Sequence, residues 1–249
     1  MNNITFDDIY NAGVVVITSD TYIQYHLPTM PLYYDSNYIS FQKIPSVAEF
    51  QKAEHAMRLY HSARNQHHLK FTFPQNERLS KEVIAYLTHT GYDLGFLELY
   101  VLHPKDFPKI SPSSTIKIQP VTKSNLEAFL HLQRNIDEQF GKEFAMQKEA
   151  MHRRNFTDSD WLQVMAYSEG EPAGSVDLII RSHTVEIDGL HVLEYMRHKG
   201  VGSHLQNFVM EHFPEKVVIL VADGEDTAKD MYLRQNYQYI GYQYEAVKA

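Results

Sequence analysis

The chain has 249 residues, of which 43% are apolar, so it can bury a hydrophobic core in one large or two small domains. It contains no cysteine, which excludes disulfides, cysteine-ligated zinc and a cysteine nucleophile. Its net charge of −8 argues against a nucleic-acid partner and favours a ligand that is cationic or bears an amine. It shows neither a signal peptide nor an apolar run of membrane-spanning length, so we expect a cytoplasmic protein without a membrane partner.

The first hundred residues predict an α/β domain. The run 14–18 is apolar at nearly every position and indicates a short buried strand, and the alternation over 37–43 indicates another. Ser46 and Glu49 form a capping box that begins an amphipathic helix. The later elements predicted in this half are a strand over 69–73, a helix from Ser80 to about His89 that Gly91 ends, and a strand over 95–102.

A proline-rich and serine-rich stretch separates the two halves. Residues 103–114 hold three prolines and three serines, a composition typical of a linker. We therefore predict an N-terminal domain over 1–103, a linker over 104–114 and a C-terminal domain over 115–249.

The C-terminal half predicts a sheet with helices packed against it. Ser124 and Glu127 have capping-box spacing and predict the start of a helix, and Gly141 separates this helix from a second one. Two-residue loops join the next three strands, as in antiparallel hairpins. The predicted order is strand 115–120, helix from Ser124, helix to about Arg154, strands 161–167, 172–181 and 184–193, helix 200–213, strand 217–221, helix 228–235 and strand 237–247.

A weak internal repeat relates the two halves. Leu87–Tyr92 is similar to Tyr232–Tyr237, and each is followed by a glycine and an aromatic residue, at Gly95 and at Gly241. Chance explains the match, or else the N-terminal domain is a degenerate second copy of the C-terminal fold. Such a copy has lost the basic glycine turn described next.

The stretch Arg197–Ser203 joins the strand that ends near Val192 to a helix. Its two glycines let the backbone approach a ligand, and the first turn of a helix presents N–H groups that favour an anion such as pyrophosphate. Arg197, His198 and Lys199 add positive charge at the same place. The alternative is a surface turn with solvated basic side chains, and the sequence has neither a dinucleotide fingerprint nor a P-loop.

Residues 190–202, with Arg197, Gly200 and Gly202, resemble the acyl-CoA signature of the GNAT acetyltransferase superfamily. In that signature Arg or Gln, two residues, Gly, one residue and Gly or Ala open a helix. The resemblance covers about residues 115–248. It implies an α/β (α+β) fold with a GNAT-like mixed, largely antiparallel sheet flanked by helices.

Residues 228–237 resemble a second segment of that family, Ala-x-x-Leu-Tyr-x-x-x-Gly-Phe. Asn236 and Tyr237 replace the usual Gly and Phe, and Glu225 stands where the family often has Asn. The last difference puts one side-chain contact to CoA in doubt.

The resemblance implies acetyl-CoA as the co-substrate, with backbone N–H groups at the strand end polarising the thioester carbonyl where that strand separates from its neighbour. Tyr232 stands where the family places a tyrosine near the CoA sulfur, so it is the predicted acid for the thiolate. The alternative is that Tyr232 only packs its helix onto the sheet. The residues implied for acetyl-CoA are Leu190, His191, Val192, Arg197, His198, Lys199, Gly200, Val201, Gly202 and Ser203.

Glu186 and Asp188 are candidates for the base. They are two residues apart in a strand, so they point to one face of the sheet, where a carboxylate can take the amine proton. The alternative is a solvated pair on an exposed face. By the same parity His191 faces the other way, and we interpret it as a packed residue. We interpret His61, His67 and His68 as surface residues and predict no metal site.

We therefore predict an N-acetyltransferase that moves an acetyl group from acetyl-CoA to a primary amine of a small molecule or peptide, with the N-terminal domain covering or extending the acceptor side. A non-catalytic acyl-CoA-binding regulatory module is the alternative. By the resemblance, the acceptor binds near residues 134–144, where Asp137, Glu138 and Glu143 fit a cationic acceptor and equally an ordinary helix end. The oligomeric state stays open, with a homodimer as one option.

Overall fold

The computed structural model describes residues 4–225 and 228–249, which form two compact units. The C-terminal unit consists of Tyr100–Val221 with Asp230–Tyr239. The N-terminal unit combines the residues up to Leu99 with Ala222–Lys229 and Ile240–Ala249. The units therefore do not follow chain order, and the division at 104–114 stays a prediction.

The described residues form eleven strands and six α-helices. The first seven are β1 (Val14–Thr18), β2 (Tyr22–His26), β3 (Ile39–Phe41), α1 (Val47–Ser62), β4 (Leu69–Thr72), α2 (Lys81–His89) and β5 (Asp93–Leu102). The others are β6 (Ile116–Pro120), α3 (Leu126–Asp137), α4 (Lys142–Asn155), β7 (Trp161–Ser168), β8 (Glu171–Ile180), β9 (Thr184–Val192), α5 (Val201–His212), β10 (Val217–Asp223), α6 (Ala228–Arg234) and β11 (Gln238–Lys248).

The N-terminal unit contains a mixed sheet in the order β1-β2-β3-β4-β11. Its core is aromatic, with Phe41, Phe50 and Phe71 all at most 2% exposed and in ring contact. The predicted capping box of α1 is present, since Ser46 accepts from the amide of Glu49 and the Glu49 side chain accepts from the amide of Ser46. Strand β2 was not predicted from the sequence.

The strand predicted at 14–18 is present, but the prediction that it is buried is wrong. Strand β1 lies at the edge of the sheet, and Val14 and Val15 are 58% and 54% exposed. An apolar run predicts a strand, but it does not decide whether a second layer covers that strand.

The interpretation of His61 and His68 as surface residues is also wrong, because both are at most 3% exposed. His61 Nδ1 lies 2.7 Å from the carbonyl oxygen of His68, and the His68 ring stacks on Tyr34. His67, between Gln66 and His68, is exposed as predicted. No group of three or more His, Asp or Glu side chains within the described ranges is arranged to hold a metal ion.

The C-terminal unit has strands in the order β10-β9-β8-β7-β6. Pairing is antiparallel from β6 to β9 and parallel between β9 and β10. Helices α3 and α4 follow one another across Gly141, as predicted. This mixed, largely antiparallel sheet with flanking helices confirms the predicted fold class. Within the described ranges no helix is long and apolar enough to cross a membrane.

The capping box predicted at Ser124 and Glu127 is absent. Helix α3 begins one residue later, with Asn125 at its N-cap. The Ser124 hydroxyl lies 2.8 Å from the Thr122 hydroxyl, and Asn125 accepts from the amide of Thr122. The polar side chains here therefore stabilise the turn before the helix.

Candidate active site

The basic glycine turn connects β9 to α5. A single 3-10 turn at Glu194–Met196 follows Val192, and the Arg197 Nε donates back to the Val192 carbonyl at 3.4 Å. His198 and Gly200 both adopt left-handed backbone conformations, with φ of +61° and +87°. Two such residues so close together bend the chain sharply before the helix, and only glycine adopts the conformation without cost.

The start of α5 is open for an anion. Gly200 is its N-cap, and no side chain caps the first turn. A Cβ at Gly202 would meet Val192 at 3.6 Å, which is an ordinary contact, so the glycine leaves room for a ligand. Arg197 and Lys199 are exposed beside this turn. The first turn of this twelve-residue helix presents uncapped N–H groups, and cationic side chains lie next to it. This arrangement fits a pyrophosphate.

Strand β9 is paired on both sides only over its first residues. Its parallel register with β10 covers three residue pairs and ends at Glu186 with Ile219, although β9 runs on to Val192 and β10 to Asp223. No further pair between these strands is registered in the described chain. From Ile187 onward β9 therefore has no registered partner on β10, and the resemblance implied such a separation of the strands.

A bulge at Gly189 changes which way the end of β9 faces. Asp188 pairs with Asp177 on β8, whereas His191 pairs with Ser175, so β9 has one extra residue there. The predicted opposite orientation of His191 is therefore wrong: it lies on the same face as Asp188. The left-handed φ of +56° at Gly189 accommodates the bulge.

Glu186 and Asp188 lie on one face of the sheet, as predicted, since they oppose Ile179 and Asp177 on β8. The alternative of a solvated pair fails for Glu186, which is 7% exposed, while Asp188 is half-buried. Burial raises the cost of a charge, so a carboxylate here has a local partner or a role.

Tyr232 lies on α6 and is 8% exposed. Its ring packs between Tyr100 and Tyr237, with centroids 5.6 and 5.5 Å away. Three residues later, Gln235 donates to the Ser203 hydroxyl at 3.2 Å, which fixes α6 beside the first turn of α5. The structure thus brings the helix that carries Tyr232 to the glycine turn, and it also gives the ring a packing role.

Sequence reasoning missed His152 and Asp177, and it assigned Asp137 to the acceptor side although the structure buries it with these two residues. Asp137, His152 and Asp177 are all at most 7% exposed, and the His152 ring lies between the two carboxylates. A signal was available on α3, where Phe129, Gln133 and Asp137 recur every four residues on the buried face. Polar residues at core positions of a helix indicate a buried polar cluster.

His191 borders the same cluster. Burial lowers the pKa of His191, the Arg197 charge lowers it further, and the Asp137 carboxylate opposes both. The imidazole is therefore neutral at pH 7, and it lies between the cationic glycine turn and the carboxylates.

Comparison with known proteins agrees with this geometry. The acetyltransferase (GNAT) family matches residues 127–237, which include the β9 end, the glycine turn and Tyr232. The C-terminal domain therefore belongs to the GNAT superfamily. Residues 4–100 match a domain of unknown function, DUF5613. No curated protein sequence matches the chain.

Solved structures similar to the chain share its fold over most of its length. A functionally unknown conserved protein from Staphylococcus epidermidis is 36% identical, with a TM-score of 0.91 over 98% of this chain and 97% of that one. A GCN5-related N-acetyltransferase from Kribbella flavida is 13% identical, with a TM-score of 0.62 over 95% and 90% of the two chains. A tandem GNAT protein from the clavulanic acid biosynthesis pathway is 11% identical, with a TM-score of 0.53 over 84% and 74%. At 13% and 11% identity, the last two similarities show the fold alone.

Proposed function

We propose that this GNAT protein is an N-acetyltransferase that moves an acetyl group from acetyl-CoA to a primary amine. One observation supports this most directly: the end of β9, unpaired with β10, is followed in the chain by an uncapped, basic helix start. Eight residues separate Val192 at the end of β9 from Val201 at the start of α5, and the two features serve the two ends of one co-substrate, its thioester and its pyrophosphate.

The residues that bind the pyrophosphate of acetyl-CoA are those of the glycine turn. Acetyl-CoA supplies the activated acyl group, and this chain supplies N–H donors for its pyrophosphate at Val201, Gly202 and Ser203. Arg197, His198 and Lys199 lie just before the helix and contribute charge, and Gly200 shapes the turn. The backbone of Leu190, His191 and Val192 is the donor set for the thioester carbonyl.

Acetyl transfer forms a C–N bond and breaks a C–S bond, so one proton leaves nitrogen and one reaches sulfur. Asp188, half-buried next to the bulge, is the proposed acceptor of the nitrogen proton, and Glu186 is the second candidate. The Tyr232 phenol is the proposed donor to sulfur. The neutral His191 adds no positive charge that would repel an ammonium substrate.

The acceptor is a small-molecule or peptide amine. Between the end of α3 and the first turn of α4, Glu138 and Glu143 are exposed and supply negative charge for an ammonium group, whereas Asp137 is buried against His152. The N-terminal unit fits a degenerate GNAT-like copy without the glycine turn, an arrangement supported by the fold similarity to a tandem GNAT protein.

The test combines thiol release with calorimetry on the full chain. Free thiol should appear from acetyl-CoA only when an amine from a panel of diamines, amino sugars and lysine peptides is present. Micromolar binding of CoA with no turnover on any amine would favour the regulatory module. Absence of CoA binding by calorimetry would refute both functions.

A further inference from the structure

Helices α3 and α4 and strand β8 bring three ionisable side chains together in the core of the C-terminal unit. His152 Nδ1 lies 3.3 Å from Asp177 Oδ2, and His152 Nε2 lies 3.8 Å from Asp137 Oδ2. All three residues are at most 7% exposed. One imidazole is thus clamped between two carboxylates that come from different elements.

The position of the imidazole is fixed by its neighbours. The Phe129 ring on α3 meets it edge-on at 5.4 Å. On β7, Gln163 donates to the His152 carbonyl at 3.2 Å, which ties α4 to the sheet. The side chain therefore has no freedom to leave the two carboxylates without disturbing the core.

The two carboxylates determine the charge of the His152 imidazole. Burial disfavours the imidazolium, but the Asp137 and Asp177 carboxylates outweigh burial and raise the pKa of His152. Lys148, one turn earlier on α4, opposes them. Two buried carboxylates without a cation would be costly, and the imidazolium is their local compensation.

The cluster reaches the proposed base through the β8–β9 pairing. Asp177 pairs directly with Asp188, so their side chains lie on one face with Cβ atoms roughly 5 Å apart. Like charges at such a position repel, so ionisation of Asp188 depends on whether Asp177 is compensated. Among the described residues of β9, Glu186 and the neutral His191 are the other ionisable groups on this face, and Tyr167 of β7 packs on the same side of the sheet.

We propose that His152 is a positioning residue for acetyl transfer: it compensates Asp177 and so keeps Asp188 ionised and able to accept the amine proton. This inference rests on the proposed function. His152 keeps its own proton throughout, and the transferred proton passes from nitrogen to the Asp188 carboxylate. The buried imidazole does not touch the substrate.

The test is the pH dependence of kcat/KM with one amine substrate. The acid limb of this profile reports the pKa of the base in the free enzyme. His152→Gln should move the acid limb up by about one pH unit, because Asp177 is then uncompensated. His152→Gln combined with Asp177→Asn should return the limb toward the wild-type position. His131→Gln, at an exposed histidine on α3, is the control and should move nothing.

A purely structural role would lower kcat/KM without moving the limb, so an unmoved limb in folded His152→Gln overturns the proposal. Where that variant does not fold, Asp177→Asn keeps the imidazole and removes the like charge beside Asp188, so it should move the limb down, and an unmoved limb there overturns the proposal equally. If the wild type acetylates an amine and the acid limb does not move in the variants, only the role of His152 is refuted. No wild-type turnover on any amine refutes the proposed function itself.

Discussion

Tyr232 and Tyr237 form a matched pair for deleting a single hydroxyl. Tyr232→Phe keeps the ring that packs against Tyr100, so the fold should hold. If the phenol protonates the leaving thiolate, kcat should fall by roughly 10²- to 10⁴-fold while CoA affinity stays unchanged. Steady-state kinetics and calorimetry on the same preparation measure both quantities.

Tyr237→Phe is the control for that measurement. Tyr237 is 3% exposed, and its hydroxyl has no hydrogen-bond partner among the described residues. Burial raises its pKa well above the ordinary value, and the neighbouring Tyr232 raises it further, so it is a poor proton donor. Its removal should leave kcat intact and stability equal or higher. A similar loss of kcat in both variants would show that packing, and not proton transfer, matters.

Substitutions at Gly202 test the binding of the CoA pyrophosphate without disturbing the fold. Gly200 has a left-handed backbone, so any side chain there strains the turn, whereas Gly202 is helical and open. Gly202→Asp places a carboxylate in the first turn, where it favours the helix but repels a pyrophosphate. We expect CoA affinity to drop at least tenfold at unchanged or higher melting temperature. Gly202→Ala should bind CoA more tightly than Gly202→Asp; equal affinities would remove the turn from the site.

At the scale of elements, Gly174 on β8 sets the path of the β9 end. A Cβ there would lie 2.4 Å from the His191 carbonyl oxygen and 3.2 Å from the Val192 Cα, so the two strands must separate. Gly174→Ala should cost about 1–3 kcal/mol in the free energy of unfolding. It should also reduce kcat on the order of 10²-fold, because the proposed donors for the thioester move.

Urea unfolding and initial rates test this prediction. Gly95 on β5 supplies the control, since a Cβ there meets only Glu245 at 3.9 Å, so Gly95→Ala adds the same methyl group without a clash. A stable Gly174→Ala variant with wild-type kcat would show that the end of β9 does not position the thioester.

At the scale of the whole molecule, the N-terminal unit should be sensitive to acid. Burial lowers the pKa of His68 to about 4, and burial also lowers those of His26 and His61. At pH values between the folded and unfolded pKa, the unfolded chain therefore binds protons that the folded chain does not bind. The stabilisation is complete above the unfolded pKa of about 6.5 and is lost as pH falls toward 4. For His68 the loss is on the order of 2–3 kcal/mol.

Urea titrations between pH 8 and pH 4.5 measure this dependence. His68→Gln should flatten the slope of the unfolding free energy below pH 6.5, while His67→Gln, at its exposed neighbour, should leave the slope as in the wild type. Equal slopes for the wild type and both variants would mean that the buried His68 does not resist protonation.

The glycine turn that we propose for acetyl-CoA could be recognised in the sequence because its determinants are local. A glycine at a helix start, basic residues before it and an apolar strand ahead of it lie within about fifteen residues. The capping box of α1 is local in the same way and is present. Chain order and the loop lengths also predicted the hairpins of β7, β8 and β9.

The acceptor side depended on tertiary structure. One bulge at Gly189 reverses the face of His191, and strand parity alone does not show a bulge. The clamp of Asp137, His152 and Asp177 joins residues forty positions apart on three elements, so packing and not spacing brings their charges together. Burial of His61 and His68 and exposure of β1 were decided in the same way, by which surfaces the rest of the fold covers. Burial and charge pairing are properties of the assembled layers, and neighbours in sequence do not determine them.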